Sequence, residues 1–133
     1  MSTEPSDKFS LAIQVQPADI DALGHVNNVV YVRWVQEVSA AHWEHVAPQE
    51  IKDQYLWVIL RHEIDFLKPA MPNDTVTGYT WVGDYHGAKF ERYVSLYRTG
   101  TQELLASAKT IWCLVDAKTM RPRRIEQALV ELL

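Results

Sequence analysis

The run NVVYVRWVQEVSAAHWEHV, residues 28–46, decides the architecture. At about 100° per residue, Val30, Tyr31, Trp34, Val35, Val38, Ala41 and Val46 fall within one arc of about 160°. That spacing predicts a helix from Asn28 to about Val46, ended by Pro48. Most of one side is apolar, so something large has to cover it. His42 and His45 lie inside the same arc. A histidine pair at i, i+3 has a spacing that metal sites use, but nothing else with ligand spacing accompanies it. Packing or a subunit contact is expected there, and no metal.

Upstream of the helix, apolar residues alternate at Phe9, Leu11, Ile13 and Val15, the period of a half-buried strand, until Pro17. Downstream come four strand-like runs: LWVILRHEIDFL (56–67), DTVTGYTWVGD (74–84), KFERYVSLYR (89–98) and ELLASAKTIWCLVD (103–116). The turn formers KPAMPN, YHGA and TGTQ separate them, and the closeness of the last three suggests an antiparallel meander. Trp34, Trp81 and Trp112 sit in periodic elements and are expected in the core or at a subunit interface. The economical arrangement is α+β: an antiparallel five-stranded sheet wrapped around a long central helix. Residues 1–133 are read as a single domain, with 1–8 loose and 117–133 a tail. The tail holds a basic turn, RPRR (121–124), and a short amphipathic segment from Ile125 to Leu133. A lone curved sheet has open edges, so a homo-oligomer, dimer or tetramer, is expected.

Composition narrows the function. The 133 residues carry 13 basic and 17 acidic side chains, a net charge of −4, which disfavours nucleic acid as a partner. Hydrophobic residues make up 47%, enough for a packed core. The single cysteine, Cys113, lies in the strand-like KTIWCLVD and reads as a small core residue; a reducing, cytoplasmic setting fits. No apolar leader opens the sequence and no run approaches a membrane span, so a soluble, unexported protein is expected.

The remaining question is the loop DIDALGHVNN (19–28), which concentrates polar groups just before the helix. It begins like a calcium loop, but the fifth position is Leu23 and the twelfth Val30, so two ligands are missing. There is no G-x-S-x-G, no phosphate loop and no G-x-G-x-x-G. What is left is a carboxylate before a helix N-terminus, where unpaired N–H groups and the dipole favour an oxyanion. A carboxylate there can serve as a general base on water or as a nucleophile on a carbonyl. Turn chemistry competes for the same residue types: Asp19 reads as a turn acid, and Asn27 as a helix cap.

DALGHVNNVVYVRWVQE (21–37) resembles the signature of hotdog-fold thioesterases of the 4-hydroxybenzoyl-CoA thioesterase-like group. Its HVNNVVYVRWVQE part is also similar to plant acyl-ACP thioesterases. HEIDFLKPAMPNDTV (62–76) resembles the family's second strand, turn and third strand, and LLASAKTIWCLVDAKTMRPRRI (104–125) its last strand and exit. The resemblance covers roughly Phe9 to Ile125.

By this resemblance Asp21 takes the place of the catalytic aspartate. Asn28 matches the residue whose backbone N–H holds the thioester carbonyl, and Gly24 the glycine of the loop. His25 matches the histidine of the plant-like variant; the asparagine two residues before it in those enzymes is Leu23 here, a departure from their full set. His25 or Asn27 is expected to orient water or substrate. Glu37, on the margin of the helix's apolar arc, is the reserve catalytic carboxylate, with a boundary salt bridge as its plainer role. Tyr31 and Trp57 are counted as substrate-binding, Trp57 at the acyl pocket. Lys89 and Arg92, and the cluster Arg121, Arg123 and Arg124, are candidates to receive the phosphates of coenzyme A, from the same or the neighbouring chain.

The implied function is hydrolysis of an acyl-CoA thioester, with no cofactor and coenzyme A entering as part of the substrate. An acyl-ACP thioesterase is the alternative enzyme. A non-catalytic hotdog protein that binds acyl groups or serves assembly is the alternative of another class.

Overall fold

The computed structural model describes residues 5–133. Helix α1 spans Asn28–Val46, the bounds that periodicity predicts. Asn27 caps it: its Oδ1 accepts the Val29 N–H at 2.9 Å, satisfying one of the orphan donors of the first turn. The buried stripe of α1 is Val30, Tyr31, Trp34, Val35, Val38, Ser39 and His42. Ala41 and Val46, placed in the apolar arc from sequence, are only half-buried. Ser39 and His42 are buried instead: the Ser39 hydroxyl donates to the Val35 carbonyl one turn back, and His42 bonds to Arg92 of the sheet.

Five strands surround the helix: β1 (Phe9–Gln14), β2 (Tyr55–Phe66), β3 (Thr75–His86), β4 (Lys89–Arg98) and β5 (Leu104–Asp116). All pair antiparallel in the order β1-β3-β4-β5-β2, so β3, β4 and β5 form the expected meander. Observed strand ends match those read off the sequence to within two residues, and β4 keeps both of its ends. The connection after α1 contains a short helix α2 (Gln49–Gln54). Helix α3 (Gln127–Val130) lies in the tail, where Ile125 and Leu129 bury against Phe90 and Leu114. Residues 1–4 lie outside the described residues; in the rest of the segment expected to be loose, Pro5 to Lys8 close a turn through the Lys8 N–H and the Pro5 carbonyl.

The main core forms where α1 presses into the concave face of the sheet, with Trp34, Val35 and Val38 against Val76, Val94, Leu96 and Ala108. Trp34 belongs to this core at 1% exposure. Trp81 does not. It stacks on Tyr93 at 5.9 Å, half-buried, on the face of β3 opposite to that of Gly78, which faces α1. Cys113 is buried. Strand β2 is an edge of the sheet, and its Leu56, Val58 and Leu60 are 44%, 38% and 51% exposed. No helix among the described residues is long and apolar enough to cross a membrane.

Gly78 lets the helix approach the sheet. A Cβ there would come within 2.4 Å of Val38 Cγ2 and 3.2 Å of Leu96 Cδ2. Val38 is β-branched, fully buried and has no rotamer to retreat to. Gly78→Ala is therefore expected to lower the unfolding free energy by about 1–3 kcal/mol, as overpacking of a core does. Urea denaturation checks this, and a variant as stable as the wild type would show that α1 is free to lift from β3.

Candidate active site

The loop before α1 is built by its own hydrogen bonds. The Asp21 N–H donates to the His25 carbonyl, and the Gly24 N–H returns to the Asp21 carbonyl, both at 3.0 Å. Gly24 sits at φ +83, a left-handed conformation that glycine adopts without strain. A Cβ at Gly24 would meet nothing within 4 Å, so its role is to turn the chain.

Two aspartates two residues apart face different surroundings. Asp19 is buried at 4% exposure, accepts the Gln16 N–H at 2.8 Å and pairs with Arg33 of α1 at 3.0 Å. It is a structural acid that ties the loop to the helix. Asp21 is only half-buried. Its Oδ1 accepts the Leu23 N–H at 2.9 Å and its Oδ2 accepts from Asn27 Nδ2 at 3.3 Å. A carboxylate oxygen has more than one lone pair, so each remains open to a further proton or electrophile.

Asn27 thus joins two features in one side chain: its oxygen caps α1 and its nitrogen holds Asp21. The next residue, Asn28, begins the helix, and its backbone N–H meets no acceptor among the described residues. The side chain of Tyr31 fastens the other wall. Its hydroxyl accepts the Ala70 N–H at 2.7 Å, while the Val26 N–H donates to the Ala70 carbonyl, so the β2–β3 connection closes over the start of α1. Burial raises the Tyr31 phenol above its usual range, so it stays neutral and keeps its proton.

Beside this corner is a cavity of about 210 Å³ with His25, Asn28, Tyr31, Phe66 and Lys68 in its walls. The structure therefore brings His25, Asn28 and Tyr31 to one cavity, with Asp21 and Asn27 on the same loop but not among its lining residues. The His25 ring lies 3.3 Å from the Val26 carbonyl through Nδ1. Glu37 is exposed and pairs with Arg33 at 3.3 Å, one helical turn back, in the boundary salt bridge given as its plainer role. Among the described residues, no three His, Cys, Asp or Glu side chains converge as metal ligands.

The remaining candidates lie at the opposite end of the sheet. Trp57 lines a second, larger cavity, of about 330 Å³, between β2 and the C-terminal half of α1. The tail runs beside the β3–β4 turn, with the Ile125 N–H donating to the Gly87 carbonyl, which gathers Lys89, Arg121, Arg123 and Arg124 at that end. Lys89, Arg121 and Arg124 are exposed. Arg123 pairs with Asp116 at 2.9 Å and lies 5.6 Å over the Tyr55 ring. Arg92 corrects the sequence reading. It is not a surface partner of Lys89 but is 7% exposed, on the helix-facing side of β4, bonded to His42 and Thr80. Arg92 alternates with Phe90, Val94 and Leu96, but the other face of the strand, with Tyr93 and Tyr97, reads as apolar too.

Asn27→Ala removes the cap and is expected to cost about 1 kcal/mol of stability in urea denaturation. Asn27→Ser should recover most of that, because serine caps as well, yet it is too short to reach Asp21. If Asn27→Ala costs nothing, the capping bond is not stabilising the corner.

The sequence profile of the Thioesterase-like superfamily matches residues 15–133. No curated protein matches the chain. Among solved structures it is similar to Slr0204, a 1,4-dihydroxy-2-naphthoyl-CoA thioesterase from Synechocystis: 20% identity over 94% of each chain, TM-score 0.79. A thioesterase from Thermus thermophilus complexed with coenzyme A and Zn is 21% identical over 92% of this chain and 94% of that one, TM-score 0.78. PA2801, a putative thioesterase from Pseudomonas aeruginosa, is 20% identical over 92% and 95%, TM-score 0.82. The helix in its five-stranded wrap is the hotdog fold, and the chain belongs to the Thioesterase-like superfamily.

Proposed function

We propose that the protein hydrolyses acyl-CoA thioesters, with Asp21 as the reacting carboxylate and the Asn28 N–H as the oxyanion donor. The observation that carries this is Asn27, which holds the Asp21 carboxylate beside the free N–H at the start of α1. As a general base, Asp21 takes a proton from water while the water oxygen bonds to the thioester carbon. As a nucleophile, it adds to that carbon itself, and water later releases the acid. In both routes the carbonyl oxygen gains charge at the Asn28 N–H, where the helix dipole stabilises it. The C–S bond then breaks: in the first route the proton taken by Asp21 passes to the sulfur and coenzyme A leaves as the thiol, and in the second it leaves as the thiolate and is protonated by solvent. His25, on the wall of the same cavity, is suited to orienting substrate or water.

Coenzyme A is favoured as the carrier by two similar proteins, one acting on a CoA thioester and one binding coenzyme A. The basic residues are at the wrong end of the same protomer to receive its phosphates. A second copy resolves this. Antiparallel pairing of two β2 edges about their midpoint brings the Phe66 end of one beside the Tyr55 end of the other. The Asp21 corner would then face the partner's larger cavity and basic tail. The exposed edge with Leu56, Val58 and Leu60 supports such a dimer.

Hydrolysis of a panel of aromatic and aliphatic acyl-CoA thioesters, followed by thiol release, tests the assignment. Asp21→Ala and Asp21→Asn are expected to lower kcat by at least about 10²-fold while remaining folded, the usual contribution of a positioned acid or base. Undiminished activity would remove Asp21 and bring Glu37 forward. Inactivity of the wild type on both acyl-CoA and acyl-ACP would leave a binding protein. Sedimentation equilibrium should give a mass at least twice the 15.3 kDa of one chain; a monomer would sink the shared site.

A further inference from the structure

The larger cavity contains an unpaired buried cation. Its walls are aromatic: Trp43 meets Trp57 edge to face at 5.6 Å, Trp57 meets Phe90 at 6.3 Å, and Trp112 closes another side. Arg92 reaches this space from β4. Its Nη1 donates to Thr80 Oγ1 at 2.9 Å and to His42 Nδ1 at 3.0 Å, which are neutral acceptors. Nε and Nη2 meet no acceptor among the described residues and neither is sealed from solvent, while the residue itself lines the cavity.

Among the described residues nothing acidic pairs with Arg92. Glu44 also lines the cavity, but its carboxylate is held by Lys52 at 2.7 Å. Burial lowers the Arg92 guanidinium to about 10, which still leaves it charged at neutral pH. Burial first, and then the charge of Arg92 and of His45, lowers His42 to about 4, so His42 stays neutral and able to accept. Taking a guanidinium out of water without an anion is costly. A purely structural arginine at this depth is normally matched by a carboxylate, as buried Asp19 is matched by Arg33 at the other end of α1.

We propose that this cavity binds a carboxylate carried on a flat apolar body, with Arg92 as its counter-ion and the tryptophans as its walls. At roughly 30 Å³ per water, about 330 Å³ has room for about ten waters, the scale of a single-ring acid. Two sources share this chemistry. One is a free aromatic acid. The other, resting on the thioesterase reading and the β2-paired dimer, is the far end of an acyl group whose thioester lies at the partner's Asp21 corner.

Benzoate and its neutral isostere benzamide are the probes, titrated into the wild-type protein with calorimetry and tryptophan fluorescence. Benzoate should bind once per chain, with benzamide weaker by about 10- to 100-fold, the contribution of a charge-assisted hydrogen bond. Arg92→Met should narrow that ratio to about twofold or less. Equal binding of the two probes, or binding of neither, overturns the proposal without any variant. So does a ratio that survives Arg92→Met in a folded protein.

Thioester hydrolysis then separates the sources. Competitive inhibition by benzoate, with preference for acyl groups that bear a distal carboxylate, makes the cavity the acyl pocket. Binding without inhibition makes it a site for a free acid. A wild-type protein that binds benzoate but hydrolyses no thioester in its absence would reject the thioesterase reading and leave the carboxylate site standing.

Discussion

Burial of one face of α1 in the concavity of the sheet is the constraint on which everything else rests. Trp34, Val35 and Val38 are at most 1% exposed, and Gly78 removes the side chain that would hold the helix off β3. Burying each such aliphatic or aromatic side chain stabilises by about 1.5–3 kcal/mol, which is why the helix has one seat and one rotation. Because the helix is fixed, both of its ends are fixed. Its N-terminus holds the Asp21 loop, and its C-terminal half roofs the aromatic cavity.

The N-terminal corner shows how little material such a site needs. Asn27 caps the helix and holds a carboxylate; Asn28 leaves an N–H free; Tyr31, one turn on, pins the facing connection through Ala70. Asp19, two residues before Asp21, commits its charge to Arg33 and the Gln16 N–H. Burial separates the two acids: the one enclosed and paired stabilises the loop, and the one left half-open is available for chemistry.

The two ends of α1 also differ in electrostatics. At the start, positive character comes from backbone N–H groups and meets an acid supplied by the same loop. Along the C-terminal half, it comes from Arg92 and, among the described residues, meets the neutral side chains of Thr80 and His42. The exposed β2 edge offers a way to bring one kind of end against the other in a pair of chains. An unpaired strand edge with apolar side chains favours such an encounter.

Local chemistry in the sequence determined α1 and its cap. A 3.6-residue apolar period, an Asn–Asn start and Pro48 are signals that need no partner, and the helix keeps the bounds 28–46. The strands followed from alternation and turn formers, so their order and pairing were legible while their ends shifted slightly. Which face of a strand turns inward was not legible. In β4 both faces read as apolar, Phe90, Val94 and Leu96 on one and Tyr93 and Tyr97 on the other, so alternation alone left Arg92 free to be placed outside. Only the packing of α1 on the sheet decided that Arg92 and His42 are buried together and that Trp81 is not in the core. Burial depends on what the rest of the chain brings near a residue, and no window of sequence contains that.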